Sequence, residues 1–264
     1  MNEILIAVLV IGLVGLVSGL ALVTAGKKYY VEPDETFDQV RACMRGANCG
    51  ACGYAGCDAA AEAVIKGEAH VDVCPGNSTE NIAKIAAVLG KENISQDPHV
   101  AFVRCGGDCD KARFKANYVG ISDCRAAALT GLSFTGCDTG CLGLGSCAAV
   151  CPEKAISVQN GVAVVNPRAC VGCGLCAKTC PKGLIEMLPR SAQVAVRCSS
   201  KEKGAAVKKN CTAGCLGCGL CAKACPNGAV RVENNLAQVD YALCAACGAC
   251  EDKCPTGAIA LRRV

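Results

Sequence analysis

Tryptophan is absent from this chain, and aromatic residues of any kind make up 3% of its 264 positions. Rings supply much of the buried area of ordinary cores, so conventional packing alone cannot hold a fold of this length together. Histidine is almost missing as well. His70 and His99 stand far apart in the sequence, and each reads as a solvated surface side chain rather than a metal ligand. There is no P-loop. Gly172-x-Gly174-x2-Ala177 and Gly217-x-Gly219-x2-Ala222 match a dinucleotide fingerprint loosely, but both lie inside cysteine loops rather than after a strand. The polypeptide is therefore not expected to bind a nicotinamide or a flavin itself. What it has in abundance is sulfur, with 26 cysteines.

Most of these cysteines fall into one repeated phrase. Cys170-x2-Cys173-x2-Cys176-x3-Cys180-Pro181 is repeated as Cys215-x2-Cys218-x2-Cys221-x3-Cys225-Pro226 and as Cys244-x2-Cys247-x2-Cys250-x3-Cys254-Pro255. A worn copy, Cys141-x5-Cys147-x3-Cys151-Pro152, precedes them. In this phrase the first three thiolates grip one [4Fe–4S] cluster and the fourth ligates a second. Disulfides are the competing explanation for cysteine-dense chains, and zinc ribbons also use Cys-x2-Cys pairs. Triplets at successive x2 steps followed by x3-Cys-Pro fit neither as well as they fit cluster loops. The expected compartment is a reducing one, and the expected work is one-electron transfer.

The formal charge of +4 is misleading. An oxidised cubane with its four thiolates carries about −2, so five would bring the chain to about −6. The basic balance therefore carries no nucleic-acid reading, and no nucleic-acid partner is expected.

Residues Ile4 to Ala25 are uncharged and almost wholly apolar, enough to cross a bilayer as one helix. Lys27 and Lys28 follow at once, whereas the N-terminal flank offers only Glu3, which places the remainder of the chain on the cytoplasmic side. A cleavable signal peptide is the rival reading, but the segment lacks a basic start and cleavage would send thiols into an oxidising space. Gly12, Gly15 and Gly19 lie near one face of this helix, a pattern that suits packing against other membrane helices or simply reflects the frequency of glycine there.

Tyr29 to Asp34 reads as a linker, and Asp34 to Met44 as a helix with an acidic first turn. Cys49-x2-Cys52-x4-Cys57-x16-Cys74-Pro75 has its own spacing, which predicts a self-contained one-cluster domain with helices at about Asp58–Lys66 and Thr79–Leu89. Gly90 to Pro98 is turn-prone and marks the next boundary. The rest is a repeat of unequal halves. Val103-Arg104-Cys105 matches Val196-Arg197-Cys198, Gly140–Gly143 matches Gly214–Gly217, and Cys137 matches Cys211. Leu144 stands where Cys218 does, so Cys137 is the expected substitute ligand. Apolar strand patterns after Cys-Pro, at Ala155–Val158 with Val162–Val164, Ala229–Val232 and Ala258–Leu261, predict small hairpins, each with a helix after the cluster loop.

The expected architecture is α+β: a single N-terminal transmembrane helix (1–28), a small one-cluster [4Fe–4S] domain (29–95), and two tandem dicluster ferredoxin-like modules (96–190 and 191–264). Five [4Fe–4S] clusters are expected. Their ligands would be Cys49, Cys52, Cys57 and Cys74; Cys137, Cys141, Cys147 and Cys180; Cys151, Cys170, Cys173 and Cys176; Cys215, Cys218, Cys221 and Cys254; and Cys225, Cys244, Cys247 and Cys250. Six cysteines remain: Cys43, Cys105, Cys109, Cys124, Cys198 and Cys211. They read either as small buried thiols or as part of a sixth cluster near Cys105, Cys109 and Cys124, whose fourth ligand the sequence does not assign.

An apolar anchor, then Asn48-Cys49-Gly50-Ala51-Cys52-Gly53-Tyr54-Ala55-Gly56-Cys57, then tandem ferredoxin runs resembles the B-type subunits of the Rnf complexes over essentially the whole chain. The resemblance implies an electron-transfer subunit of an ion-translocating ferredoxin:NAD oxidoreductase in a bacterial inner membrane. It would take electrons from reduced ferredoxin and pass them toward other Rnf subunits, which hold the NAD and flavin sites, to drive Na⁺ or H⁺ movement. Isolated, it would be an electron carrier only. Two other readings stand beside this one: a membrane-tethered polyferredoxin serving a hydrogenase or another oxidoreductase, and a zinc- or thiol-stabilised interaction protein without redox work.

Overall fold

In a computed structural model, residues 2–28, 35–91, 98–131 and 134–262 are described. The linker expected at Tyr29–Asp34 and most of the boundary expected at Gly90–Pro98 lie outside them. The first element, α1 (Asn2–Lys28), ends on Lys27 and Lys28. From Leu9 onward it is long and apolar enough to cross a membrane, and none of that stretch is buried against the rest of the protein. From Leu9 to Val23 its leucines and valines are exposed, which water would penalise and lipid would not.

The next unit is three helices: α2 (Glu35–Cys43), α3 (Cys57–Lys66) and α4 (Thr79–Leu89). Each begins and ends within a residue or so of where the sequence places it, because each carries local signals. Ser78 caps α4 by accepting the Asn81 N–H at 3.2 Å. Gly67 and Gly90 close α3 and α4 in left-handed conformation, returning their N–H groups to the last helical carbonyls. Ala60 and Ala61 on α3 let the helices approach closely, and Val40, Val64, Val71 and Ile85 complete the core. This unit is docked on the next one through Arg45–Glu153 (2.7 Å) and through Lys178 donating to the Ala51 carbonyl (3.3 Å).

Two similar units follow. In the first, β1 (His99–Val103) pairs with β4 (Ile185–Pro189), β2 (Ile156–Gln159) pairs with β3 (Val162–Val165), and the helices are α5 (Cys124–Leu129), α6 (Ser146–Ala149) and α7 (Leu175–Thr179). In the second, β5 (Val194–Val196) pairs with β8 (Ile259–Leu261), β6 (Val230–Glu233) pairs with β7 (Leu236–Val239), and the helices are α8 (Gly204–Asn210), α9 (Leu220–Ala224) and α10 (Ala249–Asp252). All four pairings are antiparallel.

The β2–β3 and β6–β7 hairpins form where the alternating apolar patterns place them. Their two-residue turns, Asn160-Gly161 and Asn234-Asn235, all take positive φ, which suits the twist of adjoining strands. The strand expected at Ala258–Leu261, after the last Cys-Pro of the second unit, behaves differently from expectation, and β4 stands at the equivalent place in the first. It forms no local hairpin; β4 and β8 pair back onto the lead-in strands β1 and β5. The register is equivalent in the two units, with Val103 opposite Ile185 and Val196 opposite Ile259. The next N–H groups continue both ladders, Arg104 to the Leu184 carbonyl (2.8 Å) and Arg197 to the Ala258 carbonyl (2.6 Å). Because a strand after Cys-Pro needs a partner for its backbone, this long-range pairing closes each unit.

Candidate metal centres

The cysteine loops share one construction. Backbone in left-handed conformation at Gly143 and Gly217 presses the first loop of each unit against its hairpin turn. A Cβ at Gly143 would meet the Gly161 carbonyl oxygen at 2.5 Å, and one at Gly217 the Asn235 oxygen at 2.7 Å. A short helix then turns the third cysteine inward: Cys147, Cys176, Cys221 and Cys250 are all buried on α6, α7, α9 and α10.

The thiols gather around apolar cavities. Cys49, Cys52, Cys57 and Cys74 line one, whose far wall includes Cys173 of the next unit. Cys173 itself lies within electrostatic reach of Cys151 and Cys170 as well as Cys49, and Cys176 within reach of Cys170, Cys173 and Cys147. Cys215, Cys218, Cys221 and Cys254 line another. Beyond it, Cys250 faces Cys244 and Cys225, while Cys247 is exposed. Among the described residues, no three Cys, His, Asp or Glu side chains meet so as to hold a single metal ion. Thiols ranged around a cavity suit a cubane, which keeps its ligands farther apart than a lone zinc would.

One expected grouping is arranged differently in the structure. The cavity beside Cys141, Cys147 and Cys180 is lined by Cys124 and not by Cys137. The cause is a small polar network at the start of α5. Asp123 caps that helix, accepting the Arg125 and Ala126 N–H groups at 2.9 and 2.8 Å. Its other oxygen accepts the Ser146 hydroxyl at 2.9 Å, and Ser146 in turn accepts the Cys124 N–H at 2.6 Å. The Ala126 N–H and the Ser146 hydroxyl hold the Asp123 carboxyl below its usual range. Since Ser146 is the first residue of α6, the network pins Cys124 next to Cys147. Sequence reasoning places Cys124 with Cys105 and Cys109 rather than beside Cys147, because only the Asp-Cys helix start hints at its position and the contact that sets it is tertiary.

Asp123→Ala is accordingly expected to unpin Cys124 and lower iron content by up to about four atoms per chain, with the N-terminal site unaffected. Iron analysis of the purified variant checks this; unchanged iron would mean the network is dispensable.

Cys137 lines a different cavity, between the two units, together with Cys105, Cys198 and Cys211. Of the cysteines that the sequence reads either as small buried thiols or as part of a sixth cluster, Cys105 lines this cavity and Cys124 the one beside Cys147. Cys109 is exposed and stands beside Gly161, and Cys43 packs against the α2–α4 core.

The electrostatics fit iron ligation. Burial pushes the Cys176 thiol up to about 12, and those of Cys147 and Cys221 up to about 11. Such thiols stay protonated at neutral pH unless a cation offsets the cost of burying their charge, as iron does. Backbone N–H groups are already aimed at the sulfurs. The donor two residues on points at Cys74 (from Gly76), Cys141 (Gly143), Cys173 (Leu175) and Cys254 (Thr256). At Cys254 burial raises the thiol, yet the Ile259, Thr256 and Ala258 N–H groups outweigh it and the net direction is down.

Comparison with known proteins agrees with this donor set. An Fe-S cluster family model matches residues 46–75, and 4Fe-4S dicluster domain models match residues 136–184, 169–229 and 214–259. None of these matches includes Cys124. The chain is 41% identical over 91% of its length to the B-type subunit of the Na(+)-translocating ferredoxin:NAD(+) oxidoreductase complex of Acetobacterium woodii, of which it covers 73%. It is 43% identical over 92% of its length to the proton-translocating counterpart of Clostridium ljungdahlii, covering 86% of that protein. The corresponding subunit of an ion-translocating oxidoreductase complex of Methanosarcina acetivorans is 40% identical over 91% of the chain, with 92% of that protein covered.

Proposed function

Because the chain belongs to the family of B-type subunits of the ion-translocating ferredoxin:NAD oxidoreductase (Rnf) complexes, and so is an iron–sulfur electron-transfer subunit of such a complex, we propose that it is the wire between reduced ferredoxin and the membrane subunits. Its architecture on this reading is one membrane-spanning anchor, a one-cluster domain and two tandem dicluster ferredoxin-like modules facing the cytoplasm. The coupled ion is Na⁺ or H⁺.

Five ligand sets follow. They are Cys49, Cys52, Cys57 and Cys74; Cys151, Cys170, Cys173 and Cys176; Cys124, Cys141, Cys147 and Cys180; Cys215, Cys218, Cys221 and Cys254; and Cys225, Cys244, Cys247 and Cys250. Bound by four thiolates, a [4Fe–4S] cluster accepts and releases one electron at a time. The chain's own contribution is to bury the sulfurs, to present N–H dipoles that stabilise their charge, and to hold neighbouring sets close together. The observation that carries the reading is the sharing of walls: Cys173 belongs to one set yet lines the cavity of the N-terminal set.

Two measurements test the proposal. Reduced ferredoxin should bleach the visible absorbance of the purified protein. Cys74→Ser should lower iron by about four atoms per chain and remove the signal of one cluster only, because that motif supplies all its ligands locally. Loss of two cluster signals would sink the idea of an independent N-terminal domain, and a protein that ferredoxin leaves oxidised would overturn the wire.

A further inference from the structure

The second module sends one cation into the first. Arg262 follows β8, and its N–H extends that strand by donating to the Gln193 carbonyl. Its half-buried guanidinium then reaches across the junction. Nη1 donates to the Pro189 carbonyl at the end of β4 (3.2 Å) and to the Ala192 carbonyl (2.8 Å). The same group lies over the Phe102 ring of β1, 5.8 Å from its centroid. Phe102 in turn packs with Leu188, Ala192, Ala195 and Tyr241, a small apolar cluster drawn from both modules.

The guanidinium stands beside a cysteine loop. Arg262 is within electrostatic reach of Cys170 and of Arg190. Arg190, the residue after β4, donates through Nη2 to the Cys170 carbonyl at 3.1 Å and to the Pro167 carbonyl at 3.4 Å. The Cys170 sulfur accepts the N–H of Ala101, the neighbour of Phe102 on β1, at 3.4 Å. Two guanidinium groups, one on β4 and one on β8, therefore converge on one ligand of the set Cys151, Cys170, Cys173 and Cys176. Among the described residues neither of them forms an ion pair with a carboxylate, and Glu186 of β4 is taken by Arg104 at 3.5 Å. Burial disfavours the Arg262 charge and moves its pKa down, yet a guanidinium keeps its proton at any ordinary pH. As a mere lock between modules the arginine is a costly choice, since a neutral amide could donate to the same carbonyls without burying charge. The cost is offset where an anion faces the cation, and a four-thiolate cubane is one.

We infer that Arg262, seconded by Arg190, raises the reduction potential of the cluster held by Cys151, Cys170, Cys173 and Cys176, so that docking of the second module sets the energy of an electron in the first. The inference rests on the wire reading and deepens it. Reduction adds one negative charge to this set, and a cation fixed in a half-buried site stabilises that charge more than water-screened cations do. Arg262 is a positioning residue, because it acts through the field at Cys170 and supplies no ligand. Cys173 of the same set also lines the cavity of the N-terminal set. The step that Arg262 adjusts is thus the one between the one-cluster domain and the modules.

The test is a redox titration of the full-length protein with its clusters assembled, read by electron paramagnetic resonance. The signal to follow is the one that Cys173→Ser removes. Arg262→Gln keeps a donor for the carbonyls but loses the charge, and should move the midpoint of that signal to lower potential. The signal that Cys218→Ser removes should stay in place. Arg262→Lys, which keeps the charge, should hold the midpoint near that of the wild type. Arg190→Gln, at an exposed residue, should give a smaller fall in the same direction. An unchanged midpoint in Arg262→Gln, or an equal shift in Arg262→Lys, would leave Arg262 as a lock only and overturn the inference. If Arg262→Gln fails to assemble its clusters, Arg190→Gln decides: a fall supports the inference and an unchanged midpoint overturns it. Clusters that titrate as expected but that reduced ferredoxin leaves oxidised would bring down the wire reading and leave the role of Arg262 standing.

Discussion

Cys124→Ser is expected to cost the first module one of its own clusters, about four iron atoms per chain, although Cys124 lies outside every ferredoxin run and every family match. The argument is geometric. Cys141, Cys147 and Cys180 leave one corner of their cavity to be filled, and Cys124 fills it because Asp123 and Ser146 lock the start of α5 to the start of α6. Serine is nearly isosteric with cysteine, so the fold should survive while a soft thiolate donor is lost. The cluster signal that disappears should be the one that Cys180→Ser also removes, because the fourth cysteine of a run crosses to the partner cluster. Cys137→Ser should behave differently and spare that signal. If Cys137→Ser removes it and Cys124→Ser does not, spacing assigns the ligand correctly and the network at Asp123 has only a structural role.

The contrast shows which parts of this protein are legible in its sequence. The three regular runs and the N-terminal motif are written in local spacing, and so are α3, closed by Gly67, and the Asn160-Gly161 turn of the β2–β3 hairpin. Each depends on residues within a few positions of one another. Cys124 depends on a hydrogen bond spanning 22 residues. Cys105 and Cys198 depend on strands that find their partners across most of a module, since β1 pairs with β4 and β5 with β8. The matching Val-Arg-Cys segments are visible as a repeat, but nothing local says that they come to line one cavity. Nor does the run of the worn copy say which upstream cysteine stands beside it: a capped helix start, not spacing, brings Cys124 to Cys147.

Deleting residues 1–25 should abolish ferredoxin-dependent NAD reduction by membranes while leaving a soluble, brown, reducible protein. The deletion removes most of α1, whose side chains from Leu9 onward bury nothing of the remaining fold, and it removes no cysteine. The cluster-bearing units keep their own cores and their own ligands, so they should assemble as before. What is lost is position. The apolar helix holds the wire at the bilayer, where the subunits that accept its electrons are expected. Two accounts of that loss differ in a measurable way. If the helix only concentrates the protein at the membrane, a modest excess of the truncated form should restore full activity to depleted membranes, because tethering is an effective-concentration effect. If the helix docks on a neighbour, excess will not restore it. Gly12, Gly15 and Gly19 give α1 a face of small residues of the kind that close-packed membrane helices use. Gly15→Leu with Gly19→Leu keeps the helix apolar and membrane-inserted but fills that face. The docking account expects this variant to sit in the membrane and yet transfer electrons poorly to its acceptor, and full activity in it would reduce α1 to a tether.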